Sequence, residues 1–198
     1  MAKENKIFNF KRLFIALPVP CKCREHLYES IMPLGIKMQA EDSIIKIVPA
    51  ENLHITLKFL GSINIEKIEK IKKAVSLTAG NSKKFYYTIG DYLEAFPSLK
   101  AAKVVFVPVV KGNACMEKLF SLLEDNLGKI KIRKEKRKFL GHITVARLKN
   151  MRDITERAAA VSTKYPEPLL CSHIALYESI LKPSGAEYNI IEDFKLEK

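Results

Sequence analysis

The chain lacks the features typical of a secreted, membrane-bound or metal-centred protein. It has 198 residues, no Trp, only four Cys and no apolar run approaching the roughly 20 residues of a membrane span. The first twelve residues contain no hydrophobic signal core. The Cys spacing fits neither a zinc site nor a small disulfide scaffold, although Cys21 and Cys23 are close enough in sequence to share a metal. We therefore predict a cytoplasmic protein with reduced thiols, no membrane association and no metal or other cofactor.

Acidic residues are scarce relative to basic ones. The chain has 34 Lys and Arg against 22 Asp and Glu, which gives a net charge of +12. This excess favours polyanionic partners such as RNA, DNA or acidic membranes, although a Lys-rich solvated surface explains the charge equally well. The 47% hydrophobic content is sufficient for a sizeable core.

Histidine is also rare, yet two of the four His occur in one repeated pattern, His54–Leu57 (HITL) and His142–Val145 (HITV). With four His and six Thr in the chain, only about 0.1 His-x-Thr pairs are expected by chance. Polar and apolar residues alternate around both copies, which predicts strands with one buried face. Each His then shares a face with its Thr, and the Ile between them points into the core.

The predicted elements repeat around the two copies. Each copy follows a strand and precedes an amphipathic helix, and the two His are separated by close to half the chain. Strands and helices do not alternate regularly, which favours a largely antiparallel α+β arrangement. No Gly/Pro/Ser-rich linker separates the halves. We therefore predict two similar lobes that share a central groove, within one bilobal domain of residues 1–198.

Several individual elements are predicted with approximate bounds. Helical spacing of apolar residues predicts an amphipathic helix from Asn64 to near Gly80 and another from Asn113 to Gly128. A helix begins after Pro20 and extends to about Ile36, with Pro33 bending or ending it. Residues 85–95 are predicted as one strand, and residues 153–165 as a short Ala-rich helix. A short strand is also predicted for residues 44–48.

Two His and two Thr that face one another suit acid/base chemistry on a phosphate ester. Imidazole titrates near pH 6.5, so one ring can accept a proton while the other donates one. Thr hydroxyls can donate hydrogen bonds to non-bridging phosphate oxygens. In an ideal strand Lys58 shares the face of His54 and Thr56, where it would add a positive charge. A strained cyclic phosphodiester fits this set of groups best.

The two patterns resemble the paired H-x-T-x motifs of the 2H phosphoesterase superfamily. Within it the chain is similar to the RNA 2′,3′-cyclic phosphodiesterases, also called 2′-5′ RNA ligases. The resemblance covers nearly the whole chain, including RLFIALPVP, ENLHITLKFLG, the pair Phe96-Pro97, GHITVARLK, LYESIL and GAEY. It implies two pseudo-symmetric lobes with mainly antiparallel sheets around the groove, and metal-independent hydrolysis of RNA 2′,3′-cyclic phosphate ends to 2′-phosphomonoesters. By reversal it also implies 2′-5′ ligation.

The resemblance also implies roles for individual residues. His54 would be the proton donor to the departing ribose oxygen, and His142 the proton acceptor that activates water. Thr56 and Thr144 would hold the phosphate oxygens. A symmetric site could exchange the donor and acceptor. The sequence departs from the family pattern at Gly141, where Pro is common, and at Phe106, where the family has Trp.

Four further residues are candidates for substrate binding. They are Lys58, Arg147, Arg12 and Phe14. Arg147 has the opposite strand parity to His142, so it reaches the groove only if the strand twists or ends. Arg12 and Phe14 share a face of the first strand, where they would serve phosphate and base. The segment Lys129–Lys138 has seven cations and one acid, and its position before His142 is typical of an electrostatic funnel for RNA.

Two alternative functions remain open from the sequence. One is a different 2H enzyme that acts on 2′-5′ linked oligonucleotides or on a small cyclic nucleotide. The other is a non-catalytic, basic RNA-binding module whose His residues are structural. In the favoured interpretation the protein is a monomer whose partner is RNA with a 2′,3′-cyclic phosphate end.

Overall fold

The computed structural model describes residues 9–39, 45–183 and 185–197. The first half of the chain forms β1 (Phe10–Pro18), α1 (Cys21–Gln39), β2 (Ile45–Ile47), β3 (His54–Asn64), α2 (Ile68–Gly80) and β4 (Phe85–Ile89). The second half continues with β5 (Glu94–Phe96), β6 (Ala102–Lys111), α3 (Asn113–Lys129), β7 (His142–Arg152), α4 (Thr155–Ala159), β8 (Leu169–Cys171), β9 (His173–Lys182) and β10 (Gly185–Lys195). Short 3-10 turns precede β3, α2 and β6.

These strands form one antiparallel sheet that runs through both halves of the chain. Its order is β10-β9-β1-β3-β7-β6-β4-β8, with β2 added beside β7 and β5 beside β6. The order β1-α1-β3-α2 in the first half is repeated as β6-α3-β7-α4 in the second. The pairing repeats as well, since Pro18 lies opposite His54 and Pro108 opposite His142. The predicted α+β fold is confirmed, and the two motif strands lie side by side at its centre.

The helices cover one side of this sheet with their apolar faces. The buried residues follow helical spacing, at Cys23, Leu27 and Ile31 of α1, Ile71 and Val75 of α2, and Met116, Leu119, Leu123 and Leu127 of α3. Each fully buried Leu or Ile side chain contributes about 1.5–3 kcal/mol relative to exposure. The core between helices and sheet therefore fixes the position of the central strands. Among the described residues, no helix combines the length and apolar character needed to cross a bilayer.

Three predicted elements differ from those observed. Helix α1 continues through Pro33 to Gln39, because Pro33 lies on the exposed side of the helix while the next residue, Leu34, is buried. The predicted strand of residues 85–95 is divided into β4 and β5 by a turn at residues 90–93. Helix α4 has five residues, fewer than predicted. The predicted strand of residues 44–48 corresponds to β2, which ends at Ile47, and residue 44 lies outside the described part of the chain.

Candidate active site

The two motif strands meet at one residue pair. Ile55 of β3 pairs with Ile143 of β7 in antiparallel register, and both side chains are fully buried. In that register His54 stands across from Thr144, and Thr56 across from His142. All four polar side chains are half-buried, on the face opposite the two Ile. The structure thus brings together the four residues predicted to be catalytic.

Each His ring is held by the backbone two residues before it. His54 Nδ1 lies 2.6 Å from the carbonyl oxygen of Asn52, and His142 Nδ1 lies 2.7 Å from that of Leu140. Because a carbonyl can only accept, each Nδ1–H must donate, which leaves Nε2 as the titrating nitrogen. His54 Nε2 lies 3.0 Å from Thr56 Oγ1. Both rings are therefore oriented for proton transfer through Nε2.

Aromatic rings surround both His. The His54 ring centroid lies 4.9 Å from that of Phe14 and 5.3 Å from that of Tyr188. The His142 centroid lies 5.0 Å from that of Phe106 and 5.4 Å from that of Phe96. These rings remove water from the imidazoles. Phe106, which replaces a Trp common in the similar family, thus packs against the second His.

This apolar packing lowers the pKa of both His. Burial lowers the pKa of His54 to about 4. The hydrogen bond to Asn52 acts in the opposite direction, and the positive charges of Arg147 and His142 lower the pKa further. Burial also lowers the pKa of His142, with a smaller contribution in the same direction from Arg147. Both rings are therefore neutral at pH 7 in the free protein. A bound phosphate anion would favour the imidazolium form and so supply the missing stabilisation.

A β-bulge at the same point of each motif strand reverses the side-chain parity. Leu57 is an extra residue of β3 relative to β1, and Val145 is an extra residue of β7 relative to β6. The residue after each bulge therefore faces the core, and the next one faces the groove. Lys58 is the residue directly after the Leu57 bulge, and Arg147 is the second residue after the Val145 bulge.

The prediction that Lys58 shares the face of His54 was wrong. Because of the bulge, Lys58 is buried at 6% exposure, and its Nζ lies 2.7 Å from Oε1 of Glu124. The same geometry brings Arg147 to the groove, where it is exposed and acts electrostatically on both His. Strand parity alone would direct Arg147 away from the groove, and the bulge at Val145 brings this substrate-binding candidate to it.

A groove of about 790 Å³ lies on the His54 side of the site, because Phe14 and Tyr188, which contact His54, are among its lining residues. Arg12 and Arg147 line it, together with Phe14, Phe59 and Tyr188. Phe14 is only 2% exposed and stacks on Tyr177 with ring centroids 4.8 Å apart. It therefore packs against His54 and has no exposed ring face on which a base could stack. Phe59 is 65% exposed and is the better placed ring for stacking.

Sequence reasoning missed Phe59 and Tyr188 as groove residues. Phe59 follows the Leu57 bulge, so an unbulged strand would place its ring in the core. Tyr188 lies in the quoted GAEY block but more than 130 residues from His54, and only pairing of β10 with β9 and of β9 with β1 brings it near. Within the described residues, no group of three or more His, Cys, Asp or Glu has a geometry suited to a metal ion.

Comparisons with known proteins give one matching family and several relatives. Residues 37–181 match the model of the 2′-5′ RNA ligase superfamily. A Methanocaldococcus jannaschii protein named RNA 2′,3′-cyclic phosphodiesterase is 28% identical over 187 residues, which cover 92% of this chain and 99% of the relative. An Archaeoglobus fulgidus protein of the same name is 29% identical over 185 residues, covering 93% and 99%.

Solved structures show the same fold. Escherichia coli LigT complexed with 3′-AMP superposes with a TM-score of 0.72 at 24% identity, over 96% of this chain and 99% of that one. A protein of Thermus thermophilus gives a TM-score of 0.70 at 25% identity, over 93% and 97%. The order of strands and helices is thus one that other chains of this length adopt.

Proposed function

This chain belongs to the 2′-5′ RNA ligase superfamily, and from that premise we propose that it is an RNA 2′,3′-cyclic phosphodiesterase. It hydrolyses the cyclic phosphate end of an RNA to a 2′-phosphomonoester. The observation that carries this proposal is the pairing of the two His-x-Thr segments through Ile55 and Ile143. It gives a site with two Nε2 atoms and two hydroxyl groups on one face of the sheet. The curated relatives that bear this enzyme name support the proposal.

The reaction needs one proton acceptor and one proton donor. His142 Nε2 takes a proton from water as the water oxygen forms a bond to phosphorus. The bond between phosphorus and the ribose 3′ oxygen breaks, and His54 Nε2–H gives its proton to that oxygen. The 2′ oxygen keeps the phosphate. General acid and general base catalysis each contribute about 10²–10⁴-fold.

The hydroxyl groups and Arg147 stabilise the phosphate. Thr56 and Thr144 donate hydrogen bonds to the non-bridging oxygens, on which negative charge builds in the transition state. Arg147 adds a positive charge from the groove. Because the pKa of His54 is low, His54 takes up its proton when the anionic substrate binds. The negative charge of the substrate then stabilises the imidazolium in place of the water that burial excludes.

We further propose that residues 1–198 act as one bilobal, monomeric and cytoplasmic domain, and that hydrolysis requires no metal. The continuity of the sheet supports the first part. The same site would also form a 2′-5′ bond when the 5′-hydroxyl end of a second RNA takes the place of water. His142 then accepts the proton of that hydroxyl as its oxygen bonds to phosphorus, and His54 again protonates the departing 3′ oxygen. Microscopic reversibility allows the site to cleave the same bond.

Phosphorus NMR tests the proposed function. A nucleoside 2′,3′-cyclic phosphate and a short RNA with the same end are incubated with the protein in EDTA. We expect conversion to the 2′-monoester, and a loss of at least about 10²-fold in His54→Ala and in His142→Ala. His173→Ala is the matched control, because His173 pairs with Ser172 and Asp193 outside the site.

Each other result contradicts a distinct part of the proposal. A 3′-monoester would contradict the assignment of the departing oxygen. Loss of activity in EDTA would contradict metal independence. RNA binding without turnover by the folded protein would replace the enzyme with a binding module.

A further inference from the structure

A buried ion pair joins the first motif strand to α3. Lys58 Nζ lies 2.7 Å from Oε1 of Glu124 and donates to Oε2 at 3.0 Å. Both side chains are 6% exposed. Removing two charges from water is costly, and a hydrophobic pair of similar volume often serves stability as well. Stability alone therefore does not explain why an ion pair occupies this buried position.

The remaining hydrogen bonds of this pair go to one loop. Lys58 Nζ donates to the carbonyl oxygen of Arg133 at 2.8 Å, and the backbone N–H of Glu135 donates to Oε2 of Glu124 at 2.6 Å. These residues belong to residues 130–138, the basic loop, which lies between α3 and β7. The loop has no helix or strand of its own. Its backbone is thus fixed by two side chains from other elements.

The basic loop runs beside the first motif strand. The register of Ile55 with Ile143 places the chain that precedes His142 alongside the part of β3 that follows Thr56, and the contact between Lys58 and Arg133 agrees with this course. Phe139, the residue that follows the basic loop, stacks on Phe120 of α3 with ring centroids 5.1 Å apart. The loop therefore passes beside β3 at Lys58 and then follows α3 towards His142.

Most cations of the basic loop form no ion pair with a carboxylate among the described residues. Lys134 pairs with Asp125 at 2.5 Å, and Lys138 approaches Glu117 at 3.7 Å. The other basic side chains have no ion pair within the part of the chain that the structure describes, and all four are exposed: Lys131, Arg133, Lys136 and Arg137. The last three lie at or beyond the backbone atoms that Lys58 and Glu124 hold. Three exposed cations on a fixed backbone suit a row of phosphate groups.

Resting on the proposed phosphodiesterase function, we propose that Lys58 and Glu124 are positioning residues that hold the basic loop as a binding surface for the RNA backbone. Arg133, Lys136 and Arg137 bind phosphates upstream of the cyclic end. A mononucleoside cyclic phosphate has no such phosphates. The loop therefore makes the enzyme prefer oligonucleotides through binding, without touching the reacting atoms.

The test compares cytidine 2′,3′-cyclic phosphate with a ten-nucleotide RNA that bears the same end. In the triple variant Arg133→Gln/Lys136→Gln/Arg137→Gln, we expect KM for the RNA to rise about tenfold or more, with kcat unchanged. The slope of log kcat/KM against log salt should fall by about 2 for the RNA. Both constants for the mononucleotide should stay within twofold. The matched control is Lys73→Gln/Lys83→Gln/Lys84→Gln, which removes three exposed charges of α2 and the turn after it and leaves both substrates unaffected.

A second variant tests the positioning role. Lys58→Met alone leaves Glu124 buried without a partner and is expected to unfold, so the double variant Lys58→Met/Glu124→Met is used, with its fold checked by circular dichroism and thermal melting. We expect it to lose the preference for RNA as the triple variant does, while it still hydrolyses the mononucleotide.

Three results would overturn the inference. Equal loss on both substrates in the triple variant would place the loop in the catalytic site. An unchanged KM for RNA would show that the loop binds no backbone. A folded double variant with full RNA preference would remove Lys58 and Glu124 from any positioning role. A wild-type protein that hydrolyses neither substrate would instead overturn the proposed function itself.

Discussion

Ile55 and Ile143 are the one residue pair through which the two motif strands are directly registered within the described residues. Both side chains are fully buried, and each separates the His from the Thr of its own strand. This apolar contact thus sets the spacing of the four polar groups on the opposite face. The catalytic geometry that we propose depends on a contact that no substrate touches.

We expect Ile55→Ala to lower the free energy of unfolding by about 2–5 kcal/mol, because the substitution leaves a cavity in the packed core. Ile143→Ala should have a similar effect, and the double variant should cost less than the two single costs combined, since the side chains share a contact. Urea denaturation measures all three. Ile190→Ala, at a position 51% exposed, should change stability by no more than about 0.5 kcal/mol. If the losses of unfolding free energy in the two single variants add fully in the double variant, the two side chains are not directly coupled.

The pH dependence of hydrolysis should reflect the lowered pKa of both His. The value of kcat/KM reports ionisations of the free enzyme, in which the pKa of His54 is about 4 and that of His142 lies below its ordinary 6.5. The protonated donor is therefore lost as pH rises, and kcat/KM should fall about tenfold per unit above pH 6.5. The decline of kcat should lie at higher pH, because the bound phosphate raises the pKa of its neighbours. Steady-state kinetics from pH 4 to 9 measure both, and a flat kcat/KM between pH 6 and 9 would contradict the two-histidine mechanism.

Arg147→Gln should change both the rate and the pH profile. Removing its charge weakens the hold on the phosphate, and we expect kcat/KM at the optimum to fall about 10²-fold. Arg147 also lowers the pKa of both His, so its removal should move the alkaline decline of kcat/KM to higher pH. Arg147→Lys keeps the charge and should keep the position of that decline. A loss of rate with no shift in the profile would contradict the electrostatic effect of Arg147 on the two His.

Phe59→Ala should weaken substrate binding. The ring is 65% exposed at the edge of the groove, and stacking of one base on an aromatic ring contributes about 1–3 kcal/mol. We expect KM for cytidine 2′,3′-cyclic phosphate to rise by about tenfold, with kcat little changed. Phe10→Ala, at an exposed position of β1 outside the residues that line the groove, is the control. An effect on kcat alone would show that Phe59 has no role as a stacking platform.

Much of the fold followed from local patterns in the sequence. Alternation around His54 and His142 predicted both motif strands, and helical spacing of apolar residues predicted α2 and α3, because these periodicities depend only on backbone geometry. Predictions from local patterns failed where contacts between residues distant in the sequence determine the structure. Helix α1 passes Pro33 because Leu34 is buried against the sheet, a contact that helix propensity does not contain.

The sequence by itself determined that two His-x-Thr strands exist and that their polar residues share a face. It also determined the excess of basic charge and the loop that carries much of it. The tertiary structure decided which basic residue reaches the groove. Bulges at Leu57 and Val145 arise from pairing with β1 and β6, and one extra residue in a strand reverses the facing of all that follow. Strand parity therefore misplaced Lys58 and Arg147 together, because parity is counted along one strand while a bulge is set by its neighbour.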